Sequence, residues 1–373
     1  MKKILLATMA LLCFLTAKAD NGFSIDDFTI AANGEVTVQI KMNNDVVFSG
    51  FQFDLELPEG VSIKKNAQDK YTMAATNRLK VYDDFEETWT PTHTVECSLQ
   101  PSGAYRVMVY SGSSANIKGT SGTTVLRTQL VASDQVATGN FTPKFTNIVM
   151  SQADEKQYKP ADCSYNCTIT LSTTVTTLGY ASFSWPKALD FTNSGLTAYI
   201  ATSCNNSSMH LEPVTKVPAN TGLILKGPEN TYSLETTDDE SLDDVTENML
   251  TSNTTGVYEV ATSNVYVLSN LDDGRPGFYL ANTGIHVGQY KSFLVLSENP
   301  ARKGLVFDEA DNTDDPVVID DPDEDDGTAT GVSAALMNNE RRIVNNVYDL
   351  QGRRVAQPSK GVYVAHGKKR FVK

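Results

Sequence analysis

The chain has 373 residues, a formal charge of -14, 40% apolar residues and 20% charged ones. That apolar content excludes wholesale disorder, and the length accommodates two or three domains, each with its own core. An acidic body argues against nucleic acid and anionic membrane surfaces as partners, because both need a basic face to release counterions.

At the amino terminus, Lys2 and Lys3 precede an apolar run from Ile4 to Leu15 and the small-x-small triplet Ala17, Lys18, Ala19 ahead of Asp20. The pattern predicts a secretory signal over residues 1–19, cleaved between Ala19 and Asp20. Leu12 stands before Cys13, where lipoprotein signals resemble a pattern with Gly, Ala or Ser, so ordinary cleavage is expected. The run is shorter than the ~20 apolar residues a bilayer span requires, and no later segment reaches that length. No transmembrane segment is therefore expected in the mature chain.

From residue 20 to 171 the dominant signal is period-two alternation bounded by Gly, Asn, Pro and Ser. Glu35–Met42 alternates polar with apolar, as a strand with one buried face should, and Phe51–Leu57 repeats the pattern before Pro58-Glu59-Gly60. Tyr105–Tyr110, Thr124–Val131, Phe141–Val149 and Cys167–Leu171 are further strand candidates. Short strands separated by turn signals predict a β-sandwich, and no long amphipathic helix is found.

This region resembles a cohesin-type module, a sandwich related to some carbohydrate-binding domains. The resemblance rests on Asn43-Asn44 after the opening strand, then Gly50-Phe51-Gln52-Phe53-Asp54-Leu55 and Leu57-Pro58-Glu59-Gly60-Val61. Tyr105-Arg106-Val107, Ser111 and Ile117-Lys118-Gly119 before the strand at Thr124 continue it. Cohesins bind dockerin modules, so the resemblance implies protein docking or a scaffold role. No dockerin-contact residue is matched in this sequence.

A second β-rich domain is expected over residues 172–307. Apolar strand candidates at Gly179–Ser184, Leu196–Ala201, Val214–Leu225, Val265–Leu268 and Gly277–Leu280 are broken by Gly-rich turns. It resembles the accessory β domain that precedes sorting tails in secreted proteins of Gram-negative anaerobes. Residues 308–330 hold eleven acids between Asp308 and Asp326 with no Lys or Arg, which predicts an extended, self-repelling linker. Asp321, Asp323 and Asp325 alternate as calcium ligands do, but Asp326 stands where an EF-hand loop has Gly and Val332 where it has Glu, so a solvated linker is the expectation.

Residues 331–373 carry nine Lys or Arg against Glu340 and Asp349. Here Tyr348, Gly352, Arg354 and Val355 are followed by Gly361 and Tyr363 and a basic close at Lys373. Gly352 permits a turn after one strand, Lys360-Gly361 punctuates the next, and the closing residues form a third. The order resembles a short form of the C-terminal sorting domain of type IX secretion substrates, which implies contact with export machinery and delivery to the surface or medium of a Gram-negative bacterium. The fold expected for the whole is all-β, with an N-terminal cohesin-like β-sandwich, a second β-rich domain, an acidic linker and a short C-terminal β tail.

Catalytic chemistry finds little support. His93, His210, His286 and His366 lie in different segments, no Gly-x-Ser-x-Gly elbow occurs, and the four-residue spacing of His93 and Cys97 does not establish contact in a β protein, where a turn or strand histidine is the expectation. Asp83, Asp84, Glu86 and Glu87 are adjacent acids, read as solvated rather than as a glycosidase pair. Cys97, Cys163, Cys167 and Cys204 admit one or two disulfides in an oxidising compartment, with pairings the sequence does not choose among. Cys163 and Cys167 lack a second Cys/His pair at metal spacing, so no metal and no cofactor is expected. Tyr82, Phe85 and Trp89 fall among the acids, an arrangement suited to sugar contact through apolar stacking and hydroxyl hydrogen bonding. The default expectation is that these rings instead plug the end of the sandwich, and that Trp185 beside Pro186 is core. The function expected is that of an exported, non-enzymatic binding or scaffold protein with a protein or polysaccharide ligand. A carbohydrate-binding module, or an accessory protein of a glycoside hydrolase, is the alternative.

Overall fold

The computed structural model describes residues 21–205, 207–262, 264–270, 275–296, 304–309, 347–348, 361–365 and 368–372. The expected signal at 1–19 with Asp20, the acidic stretch at 310–330, Gly352, Arg354, Val355, His366 and Lys373 lie outside them. The described chain is nearly all β, as its alternation predicts, with one short 3-10 turn at Asn77–Leu79. Among the described residues no helix is long and apolar enough to cross a membrane.

The chain forms two compact units, one of 1–174 with 186–195 and 231–242, the other of the remaining residues. In chain order the first unit opens with β1 (Gly22–Ser24), β2 (Phe28–Ala31), β3 (Glu35–Asn43), β4 (Gly50–Leu55), β5 (Val61–Ile63) and β6 (Met73–Ala75). It continues with β7 (Lys80–Asp83), β8 (Thr88–Pro91), β9 (Thr94–Leu99), β10 (Tyr105–Tyr110), β11 (Thr123–Ala132) and β12 (Gly139–Phe141). Then follow β13 (Lys144–Ser151), β14 (Gln157–Tyr158), β15 (Cys163–Ser164) and β16 (Cys167–Val175).

One sheet runs β1-β3-β11-β5, with β6 also on β11; the other runs β14-β13-β4-β10-β9, with β15 also on β13. The period of two decides which side chains meet between the layers. Val38, Ile40 and Met42 of β3 are buried while Thr37 and Gln39 stay on the other face. Phe51, Phe53 and Leu55 of β4 answer them, and Phe53 meets Phe23 at 4.7 Å and Phe145 at 5.1 Å between ring centroids.

Two strand boundaries differ from the sequence expectation for identifiable reasons. Phe141–Val149 divides at Pro143, which has no N–H to donate: β12 pairs with β16, whereas β13 joins the sheet of β4. Phe51–Leu57 ends at Leu55, after which Val61 N donates to Pro58 O at 3.0 Å in a turn closed by Gly60 at φ 79°. A Cβ on Gly60 would stand 2.7 Å from Val136 Cγ1, so the Gly of the Pro-Glu-Gly turn is demanded by both backbone and packing.

The excursions at 186–195 and 231–242 pack with the first unit, so the second unit is discontinuous in sequence. Strand Leu189–Asp190 pairs with Asn230–Thr236, Thr138 N donates to Thr236 Oγ1 at 2.8 Å and Thr236 N donates back to Thr138 Oγ1 at 2.9 Å. In the second unit a nine-stranded sheet is antiparallel except where Ser208–Val214 meets Gly304–Glu309 in parallel. Val265 and Val267 pack on one side with Val287 and Phe293, and Tyr266 on the other with Phe278 and Leu294. Burial on both faces explains why this strand is a continuous apolar run and not an alternating one. Trp185 is buried as expected, its ring 4.4 Å from that of Tyr290. Val347–Tyr348, Gly361–Ala365 and Lys368–Val372 form a three-stranded antiparallel meander, placing Tyr348, Gly361 and Tyr363 on strands.

Candidate functional site

Sequence-local forces build a hairpin between the two sheets' chain segments. Leu79 is fully buried and its carbonyl accepts from Thr92 N at 2.9 Å, which closes the base. β7 and β8 pair antiparallel with Tyr82 opposite Trp89 and Asp83 opposite Thr88, and they pair with no other strand. At the tip Asp83 Oδ1 accepts from Phe85 N at 2.9 Å and from Glu86 N at 3.1 Å, while Glu87 takes a left-handed φ of 49° to turn the chain back. Every residue from Val81 to Thr90 is exposed: Phe85 is 95% accessible, Tyr82 42% and Trp89 43%. The Tyr82 and Trp89 rings lie 5.2 Å apart across the hairpin. The expectation that these rings plug the sandwich is thereby overturned. A two-stranded ribbon that pairs only with itself offers its aromatic residues no core to enter, and its acids hold the tip in water.

Beneath the hairpin sits a cation. Arg78 is only 6% exposed, and its guanidinium donates to Lys118 O (2.6 Å), Thr123 O (2.8 Å), Asn44 Oδ1 (3.1 Å) and Met42 O (3.3 Å). Burial holds its pKa below the usual arginine value. Gly119, at φ 93°, lies over it so closely that a Cβ would fall 2.9 Å from Arg78 Cγ. Asn44, Lys118 and Gly119, which fall in the segments that carry the cohesin-type resemblance, thus form part of the seat of a structural cation. Nothing in the sequence around Asn77-Arg78-Leu79 distinguishes that arginine from a surface one. On the far side of the hairpin His93 is also 6% exposed, its Nδ1 2.9 Å from Thr92 Oγ1 and its Nε2 without a partner. Desolvation keeps this imidazole below its ordinary pKa.

No protein-family model matches the chain, and no curated protein matches it. Similar solved structures include the seventh ScaB type I cohesin of Pseudobacteroides cellulosolvens, at 15% identity and TM-score 0.30, over 39% of this chain and 90% of that one. A type I cohesin–dockerin complex from Clostridium thermocellum aligns at 13% identity and TM-score 0.31, over 40% of this chain and 98% of the other. The type II cohesin dyad of the ScaA adaptor scaffoldin of Acetivibrio cellulolyticus aligns at 12% identity and TM-score 0.25, over 60% of this chain and 81% of that one.

The remaining sequence candidates do not converge on a reaction. His93 precedes β9 whereas Cys97 lies within it opposite Val107, so extended chain separates the two. His210 and His286 are exposed on strands of the second unit. Cys163 and Cys167 occupy different strands, β15 and β16, and neither they nor Cys97 form a disulfide among the described residues. Burial pushes Cys97 up to about 12 and Cys167 up to about 11. Among the described residues no three His, Cys, Asp or Glu converge as a metal site. Asp83, Asp84, Glu86 and Glu87 all lie on the exposed hairpin. A polar cleft of about 460 Å³ lies elsewhere, where β2, β12 and β16 meet, with Asn166 Nδ2 donating to Asp27 Oδ1 at 3.0 Å and Thr168 Oγ1 donating to Asn140 Oδ1 at 2.8 Å.

Proposed function

We propose that the chain is an exported, non-enzymatic binding module whose N-terminal sandwich presents the β7–β8 hairpin to a partner outside the cell. The observation that carries this reading is the 95% exposure of Phe85 on a tip ordered by Asp83, with Tyr82 and Trp89 paired behind it. Large exposed apolar rings favour self-association unless they have a use, and aromatic residues are over-represented among interface hot spots. The ordered turn lowers the entropy lost on docking. The predicted signal at 1–19 and the sorting-like tail, whose strands at 347–348, 361–365 and 368–372 form a meander, support delivery by a type IX route to the surface or medium of a Gram-negative bacterium.

The test is partner capture by immobilised full-length protein against Phe85→Ala and Trp89→Ala, with extracellular protein and glycan fractions of the native host as bait. Material held by the parent and lost by both variants supports the reading; equal capture by all three overturns it. A second reading, neutral glycan binding, is favoured by the paired amide and hydroxyl groups in the cleft of β2, β12 and β16. Glycan-array signal that disappears in Asn166→Ala but persists in Trp89→Ala would place the ligand there.

A further inference from the structure

We infer that the hairpin receives an extended, Lys- or Arg-bearing segment of a partner protein, an inference that rests on reading the hairpin as a docking surface. Asp83, Asp84, Glu86 and Glu87 surround Phe85, and no Lys or Arg occurs from Val81 to Pro91. The side-chain carboxylates of Asp84, Glu86 and Glu87 make no hydrogen bond or ion pair with any described residue, so their charge at the tip is uncompensated within this unit. Tyr82 and Trp89, both substantially exposed beside those acids, supply ring faces over which an ammonium or guanidinium is attracted. The hairpin's two strands pair only with each other, leaving each with an outer backbone edge of the kind that accepts an added strand.

The same chemistry separates this occupant from the others. Four carboxylates repel anionic polysaccharide and oppose insertion of Phe85 into an anionic lipid surface, and a neutral sugar would leave most of that charge unanswered. A cationic strand satisfies edge, rings and charge together, with alternate side chains falling beside Tyr82 and Trp89.

The experiment measures binding of a fluorescent dodecapeptide of alternating Lys and Val to the full-length protein and to Phe85→Ala, Trp89→Ala and the triple variant D84N/E86Q/E87Q. A Glu/Val dodecapeptide, cellohexaose and phosphatidylglycerol vesicles serve as comparison probes. The acids between Asp308 and Asp326 also attract cations, but they are unchanged in every variant, so hairpin-dependent loss is the readout. The expected result is binding of the Lys/Val peptide alone, weakened about tenfold or more by Trp89→Ala and by the triple variant. It should also collapse near 1 M salt, where the Debye length is ~3 Å. Lys/Val binding untouched by these substitutions overturns the inference. Hairpin-dependent binding of cellohexaose or vesicles without the peptide also overturns it while leaving the hairpin a docking surface. No hairpin-dependent binding of any probe removes the cationic partner, and the capture experiment above then decides the docking reading separately. Phe85→Ala, at a side chain 95% exposed, keeps folding out of the comparison.

Discussion

Arg78 is held by three backbone carbonyls and one amide oxygen, and replacing it by Met removes both its charge and four donated hydrogen bonds while keeping most of its length. Hydrogen bonds to a charged group contribute ~1.5–3 kcal/mol each, so the gross loss is ~6–12 kcal/mol. Removing the guanidinium also relieves the desolvation of a buried ion, several kcal/mol in the opposite direction. The expected net loss is ~2–4 kcal/mol, concentrated where β3, β11 and the loop at Lys118 meet. A chain of two compact units has no single unfolding free energy, so the assay should resolve segments. Hydrogen exchange read by mass spectrometry over Glu35–Asn43 and Thr123–Ala132 should accelerate by roughly thirtyfold to several hundredfold. Arg78→Lys keeps the charge but has three donors on one nitrogen, so it should fall between Met and the parent. Unchanged protection in Arg78→Met, or full protection in Arg78→Lys, would refute the reasoning.

Gly119→Ala should destabilise the same region by ~1–3 kcal/mol through its left-handed φ and its contact with Arg78. A double-mutant cycle with Arg78→Ala should show part of that loss relieved, and strict additivity would mean the contact is immaterial. Asp54, 3% exposed, accepts two 2.8 Å bonds from Arg106 and one of 2.7 Å from Asn147, and the Arg106 bonds hold its carboxyl below the ordinary value against burial. Because the folded pKa is depressed, that stability is present above the unfolded value of ~3.9 and is lost as pH falls through the folded one. The stability gap between parent and Asp54→Asn should therefore narrow on acid titration below pH ~4; a gap that widens there would contradict the assignment. With Cys97 pushed up to about 12 and Cys167 up to about 11, alkylation by iodoacetamide at near-neutral pH should be slow in the folded protein and fast in denaturant. Prompt labelling of Cys97 without denaturant would count against its burial.

The sandwich was legible because strands with one buried face alternate, and Glu35–Met42 and Tyr105–Tyr110 recur almost residue for residue as β3 and β10. Less legible were features set by tertiary position. Thr142-Pro143 divides one apolar stretch between two sheets, and the short strand Leu189–Asp190 leaves its sequence neighbours because Asn230–Thr236 offers it a ladder. Arg78 was invisible, since its acceptors lie at Met42, Asn44, Lys118 and Thr123, far from it in sequence. The sequence brings Tyr82, Phe85 and Trp89 together as rings suited to sugar contact, but inward packing is the default expectation for aromatic residues in a sandwich. The signal that could have reversed this was local: acids on both sides of Phe85, and an alternation that puts Tyr82 with Trp89 on a ribbon too short to have a core of its own.

The most direct test of the docking surface is the affinity of a captured extracellular partner for the parent and for Phe85→Ala, measured side by side with their circular-dichroism melts. The account predicts superimposable melts and an affinity weakened about tenfold or more, because an exposed ring contributes to an interface and not to the fold. Equal affinity with equal melts would contradict it.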